Sequence, residues 1–217
     1  MNLGINIINK KQLRMVIIFS SFSFFIISIS CKRDNKRNNF KTENNFKQEL
    51  RLINDDFLIY EKGVSALKIG ENLPKEINDY KFFKSHKLAE EGSEEPIIEI
   101  FHDKNKLFEV SFFYDSENQR FNDKISEILV KNQKFKTQEN IGVLSTIEDF
   151  TKAYPNYFIW YTYISNSYII QSKDLKIQFM LDEKGFVSNK NLMDGDMVEL
   201  ELKDFKLDTK ITEIRIF

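Results

Sequence analysis

A chain of 217 residues with net charge −1 and 41% apolar side chains, 21 Phe and 8 Tyr among them, can bury one core of ordinary size, which excludes a globally disordered protein. Seven glycines and three prolines exclude collagen-like or low-complexity architecture, and a single cysteine excludes an intramolecular disulfide. Charge is uneven: residues 1–30 hold Lys10, Lys11 and Arg14 and no acid, residues 31–47 hold six bases against two acids, and the chain from residue 48 carries a net −8, which does not suit a nucleic-acid-binding surface.

The chain opens with a leader. Lys10, Lys11 and Arg14 precede an apolar run, Met15 to Ser30, broken only by serines. This is the layout of a secretory signal peptide over residues 1–30. The run is 16 residues long, short of the roughly 20 that a helical span needs. It ends at Cys31, the sole cysteine. Residues 10–31 resemble a bacterial lipoprotein precursor, whose lipobox ends in the cysteine that is acylated and becomes the new N-terminus. Ser30 matches the small residue before that cysteine; Ser28 and Ile29 stand where the common pattern has Leu and a small residue. The resemblance implies acyl chains, palmitate among them, on Cys31, and lipid anchoring in the cell envelope, at the outer membrane. The competing arrangement is a retained signal anchor with Cys31 incidental, favoured by the positive charge that follows. Residues 31–48 are polar, Asn-rich and basic, which predicts a flexible tether suited to anionic lipid headgroups.

Residues 49–217 predict a single α+β domain, mostly antiparallel sheet with two short helices. Phe57–Tyr60 and Val64–Ile69 are extended pieces around Gly63. Leu73–Ile77 reads as a short helix, with Asn72 as cap and Pro74 in its first turn. Tyr80 to Phe83 is extended. Ile97–His102 and Lys106–Tyr114 flank Asp103-Lys104-Asn105, a β-hairpin signal. Asp115 to Asp123 reads as a polar loop and Ile125–Val130 as a strand. Ser145-Thr146-Ile147-Glu148 has capping-box spacing and opens a helix to Ala153, ended by Tyr154-Pro155. Tyr157–Ile164, Tyr168–Gln171 and Leu175–Leu181 form a three-stranded meander, and Ile211–Phe217 is a period-2 strand. Ile69, Leu73 and Tyr80 align at an offset of 74 with Val143, Ile147 and Tyr154, a weak two-fold internal repeat. GVSALKIG (Gly63–Gly70) and STIEDFTKAYP (Ser145–Pro155) resemble segments of small, uncharacterised Gram-negative envelope lipoproteins, the sigma-E-regulated type among them. That resemblance implies an α+β envelope lipoprotein with no assigned activity.

No residue set in the sequence demands chemistry. His86 and His102 are the only histidines, too few for a zinc site without a second cysteine. Asp194-Gly195-Asp196 near Asp182-Glu183 lacks EF-hand spacing and reads as a polar turn. G-x-S-x-G, Walker and G-x-G-x-x-G motifs are absent from the sequence. Glu99 and Glu109 lie on the expected hairpin and are the one carboxylate pair to weigh as a glycosidase dyad. The aromatic strand is the best binding candidate. Tyr157, Ile159, Tyr161 and Tyr163 share one face, Phe158 and Trp160 the other, and apolar character on both faces predicts a central strand covered on both sides.

The expectation is a membrane-anchored lipoprotein, held by lipid on Cys31, that acts as a non-enzymatic interaction module for another envelope protein or glycan and uses no cofactor, metal or nucleic acid. One alternative is a ligand-binding lipoprotein with an aromatic pocket formed by Tyr157, Trp160, Tyr161 and Tyr163. Another is an envelope-polymer hydrolase.

Overall fold

A computed structural model describes residues 56–77, 79–88 and 92–217. The leader, the tether with Cys31, and residues 49–55 lie outside the described residues. Two antiparallel sheets account for the strands. The small one joins β1 (Ile59–Tyr60), β2 (Gly63–Val64) and β3 (Leu67–Lys68). The large one contains β4 (Lys81–Leu88), β5 (Glu94–His102), β6 (Asn105–Asp115), β7 (Arg120–Val130), β8 (Tyr157–Thr162), β9 (Ser167–Ser172), β10 (Ile177–Leu181), β11 (Met197–Leu200) and β12 (Ile211–Ile216). Its order is β11-β8-β9-β10-β12-β7-β6-β5-β4. Helix α1 (Ile147–Ala153) and two single-turn 3₁₀ segments, Glu183–Gly185 and Leu202–Asp204, complete the described elements.

The α+β expectation with two short helices is therefore corrected: the described fold is nearly all-β, with one seven-residue α-helix. Leu73–Ile77 is not a helix. Asn72 bridges Lys124, and the Leu73 amide donates to the Asp123 carbonyl at 3.2 Å, so this backbone is tied to the start of β7. Pro74 then removes a donor, and five residues are too few to offset helix nucleation. The four-residue spacing of Leu73 and Ile77 reflects two core contacts of irregular chain. The internal repeat fails at the same point, because only the second copy carries a helix.

α1 forms one residue later than the capping-box spacing implies. Thr146 is the N-cap, its Oγ1 accepting from the Asp149 amide at 2.9 Å while Asp149 Oδ2 accepts from the Thr146 amide at 2.9 Å. Two reciprocal bonds satisfy donors that the first turn leaves orphaned. β7 begins at Arg120, inside the expected polar loop, and β11 is an edge strand that the sequence pattern does not announce.

Strand alternation sorts the large sheet into two faces. One apolar row, buried except for half-buried Phe82 on the edge strand, crosses all nine strands in register: Leu200, Ile159, Ile170, Phe179, Ile214, Val130, Phe108, Ile100 and Phe82. α1 and the segment 131–146 cover this face, Phe150 packing edge-on to Phe179 at 4.9 Å and Phe135 lying 4.5 Å from Phe108. β1–β3 contribute Ile59, Val64 and Leu67 to the same core.

The opposite face carries a smaller apolar cluster and a charged half. Trp160, Ile169 and Met180 lie in register on β8, β9 and β10 and form the cluster. Across β4–β7 and β12 the face is an ion-pair ladder. Lys87 pairs with Glu127 at 3.0 Å and with Glu95 at 3.7 Å, and Arg215 Nε lies 3.1 Å from Glu127. Lys106 pairs with Glu99 at 2.5 Å and Glu109 at 3.0 Å, while Lys131 joins Glu109 to Glu213.

The segment after β11 closes the core around one buried acid. Asp204 is 4% exposed. Burial pushes its carboxyl up, but the Glu201 amide (2.8 Å), the Ser188 side chain and the Lys190 ammonium (3.2 Å) together hold it below the ordinary 3.8. A carboxyl depressed in the folded state stabilises above its unfolded value, and that contribution is lost as pH falls through the folded value. Equilibrium unfolding should therefore show stability declining below about pH 4, with Asp204→Asn less stable than wild type at neutral pH and flatter in its acid limb. Identical acid limbs in the two proteins would remove Asp204 from this role.

Candidate functional site

The aromatic strand does not build one pocket. β8 is second from the sheet edge, between β11 and β9. Tyr161 is buried in the main core, with its hydroxyl 2.7 Å from Asn166 Oδ1, and Tyr157 packs against that core half-buried. Trp160 faces the other way, 8% exposed, with Phe158 stacked on it at 4.8 Å. Tyr163 lies past the strand end and is exposed. β8 is therefore not central, and its two faces spend Tyr161 and Trp160 on packing in two different clusters, while Phe158 on the Trp160 side is 38% exposed. Cys31 lies outside the described residues.

The other candidates are accounted for by local contacts. Glu99 and Glu109 stand directly opposite in the β5–β6 register, and Lys106 bridges them. Burial pulls the Lys106 ammonium down, but the hydrogen bonds it donates to Glu99 and Glu109 outweigh that and raise it overall. Asp182 caps the 3₁₀ turn at Lys184, Asp194 accepts from Asn191 Nδ2, and the Asp196 carbonyl accepts from the Tyr163 amide. His102 sits edge-on to Tyr80 at 5.7 Å and His86 is on edge strand β4. Among the described residues no group of three or more His, Cys, Asp or Glu is arranged to hold a metal ion.

A cleft lies beside α1, in the stretch 131–146 that connects β7 to the helix. It has a volume of about 640 Å³, and Lys136, Asn140, Leu144, Ser145, Asp149 and Lys152 are among its lining residues. None of the four aromatic candidates lines it. Lys136 is fixed by its backbone first: its amide donates to the Phe57 carbonyl at 3.0 Å and its carbonyl accepts from the Ile59 amide at 2.8 Å. It also bridges Gly142. A Cβ on Gly142 would lie 2.5 Å from Lys136 Cδ and 2.3 Å from the Phe135 carbonyl, so the lysine stem lies where any side chain at 142 would be.

The stem delivers Nζ to within 3.4 Å of the Val143 carbonyl and 3.5 Å of Ser145 Oγ. The Ser145 hydroxyl oxygen accepts from the Gly142 amide at 3.1 Å, which holds the turn closed. Burial pulls the Lys136 ammonium below its ordinary value, against a smaller opposing effect of Asp149. The acids nearby are already engaged, Asp149 in the α1 cap and Glu139 by the Tyr154 hydroxyl at 2.6 Å. Burial and Glu139 push the Tyr154 phenol up, so it stays a neutral donor.

Two non-glycine residues around the cleft are left-handed, Asn140 at φ 64° and Leu144 at φ 68°. Asn tolerates that region and Leu does not, so Leu144 stores strain of about 1–2 kcal/mol. The Leu144 amide is held by the Ile211 carbonyl at 2.9 Å, and its side chain stands 52% exposed at the rim. Sequence reading missed this site because 131–146 looks like a polar connection. Its only local signal is Asn140 followed shortly by Gly142.

No protein-family model matches this chain, and no curated protein matches it. Among solved structures it is similar to the crystal structure of the uncharacterised protein YfeY from Escherichia coli, with TM-score 0.49 and 16% identity over 73% of this chain and 98% of that one.

Two substitutions test the energetics described. Leu144→Gly should raise stability by about 0.5–1 kcal/mol in urea unfolding, relief of strain exceeding the added unfolded-state entropy, whereas Leu144→Ala should not. Lys106→Met should cost about 1 kcal/mol by leaving Glu99 and Glu109 facing each other, and Glu109→Gln in that background should recover part of the loss. A neutral Lys106→Met would show that the bridge does not support the sheet.

Proposed function

We propose that this chain is a non-enzymatic envelope lipoprotein, anchored to a membrane by acyl chains on Cys31, that presents its β domain as an interaction module. The observation that carries the reading is the order of segments: three basic residues, an apolar run ending at Cys31, a basic tether, and a chain of net −8 from residue 48. An apolar run too short to span and a cysteine at its end suit lipid attachment. The tether charge suits anionic headgroups, while the acidic body is repelled from them and stands off the surface. Among the described residues no helix is long and apolar enough to cross a membrane. The exposed Tyr163, Ile164, Met193 and Met197, at and beyond the ends of β8 and β11, offer apolar side chains to an envelope partner.

Mass spectrometry of protein extracted from membranes should find an N-terminus at Cys31 bearing acyl chains. Radiolabelled palmitate should be incorporated, and Cys31→Ser should abolish labelling and move the protein out of the outer-membrane fraction. Retention of residues 1–30, or unchanged fractionation of Cys31→Ser, would refute the anchor.

A further inference from the structure

Among the described residues that line the 131–146 cleft, the Lys136 ammonium is the cation without an ion-pair partner. Of the two lysines that line it, Lys152 is paired with Glu148 at 2.8 Å, and Lys136 is in no ion pair among the described residues. Its two protein contacts, at 3.4 and 3.5 Å, are at the outer limit of hydrogen bonding, and an ammonium has three donors. A half-buried cation without an anion is costly, and an arriving anion removes that cost. Backbone pairing on both sides of Lys136 and the bare Gly142 beneath its stem hold the ammonium in place, so little side-chain entropy remains to be lost on binding.

We propose that this cleft binds a small organic monocarboxylate with a short aliphatic chain, its carboxylate on Lys136 Nζ and its chain along Leu144 and Ala153. Among the described residues that line the cleft, one cation outside an ion pair matches one negative charge. Asp149 and Glu139 also line the cleft, and their charges oppose a dianion such as phosphate more strongly than a monoanion. The apolar end of the site is the exposed Leu144 side chain, which the left-handed backbone holds out at the rim. Strain kept at a binding position is the pattern expected where conformation serves recognition. This site is separate from the lipid anchor, and either can fail without the other.

The test is calorimetric titration of the full chain, reconstituted in nanodiscs with empty nanodiscs as blank, with sodium hexanoate, sodium acetate, hexylammonium chloride and inorganic phosphate. Hexanoate should bind with 1:1 stoichiometry and about tenfold more tightly than acetate, the margin expected from partial burial of its methylenes. Lys136→Met should weaken hexanoate at least about tenfold, and Lys136→Arg, which keeps the charge, should hold it within about threefold. Lys152→Met should leave it nearly unchanged. Leu144→Gly should weaken hexanoate and not acetate. Lys136→Arg keeps the test decisive if Lys136→Met does not fold, because loss of binding in a folded Lys136→Arg contradicts a site defined by charge. No hexanoate binding, equal binding of hexylammonium, displacement of hexanoate by equimolar phosphate, or unaltered binding by folded Lys136→Met would each overturn the proposal.

Discussion

The structure depends on one row of side chains. Leu200, Ile159, Ile170, Phe179, Ile214, Val130, Phe108, Ile100 and Phe82 come from nine different strands and meet edge to edge across the large sheet. A strand has a period of two, so a slip of one residue in any strand would replace its member of the row by a residue meant for the other face. In β10 that residue is Met180 or Gln178, and in β12 it is Glu213 or Arg215. The row thus fixes the register of every strand, and the register places everything on the opposite face. α1 and segment 131–146 dock where they do because Phe150 and Phe135 find Phe179 and Phe108 there.

The ion-pair ladder is the counterpart of that row. Its charges lie on adjacent strands because the apolar residues between them point inward. Isolated exposed pairs contribute little, roughly 0–1 kcal/mol each. Here each cation serves two acids or shares one with a neighbour, and Lys106 and Lys131 both touch Glu109. The ladder overlies Ile97 and Leu129, which are nearly buried on the same face. Long lysine and arginine stems cover such residues while their heads stay in the pairing plane.

Much of this was legible in the chain. The β5–β6 hairpin announces itself through alternating residues on either side of Asp103-Lys104, and Asp103 takes the positive φ of 55° that the tight turn needs. The β8–β10 meander and β12 read directly from period-2 runs. The two faces of β8 were also readable, but whether those faces were open or packed was not, since that depends on residues far away. Leu73–Ile77 misled because Asn72 and Pro74 stand where a helix cap and first turn would put them, and the backbone bonds to Asp123 and Lys124 that decide the matter are long-range. β11 was invisible because four residues between polar turns carry too little pattern. Lys136 was invisible for a different reason: its setting is made by Gly142, Val143 and Ser145 folding back onto it.

The place of β12 in the sheet has a kinetic consequence. It is the last described strand in sequence, yet it lies between β10 and β7, where it pairs with both. β4–β7 form one meander of neighbouring strands, and β8–β10 with β11 form another group, and no pairing in the large sheet joins the two except through β12. Each group can gather from contacts local in sequence, but the central seam must wait for a strand roughly 80 residues beyond β7 to arrive and displace water from two edges at once. Until then both groups expose a pairing edge, the state in which β chains associate wrongly. The sheet is zipped shut from its middle by β12, so the arrival of that strand sets the earliest moment at which the two groups can become one sheet.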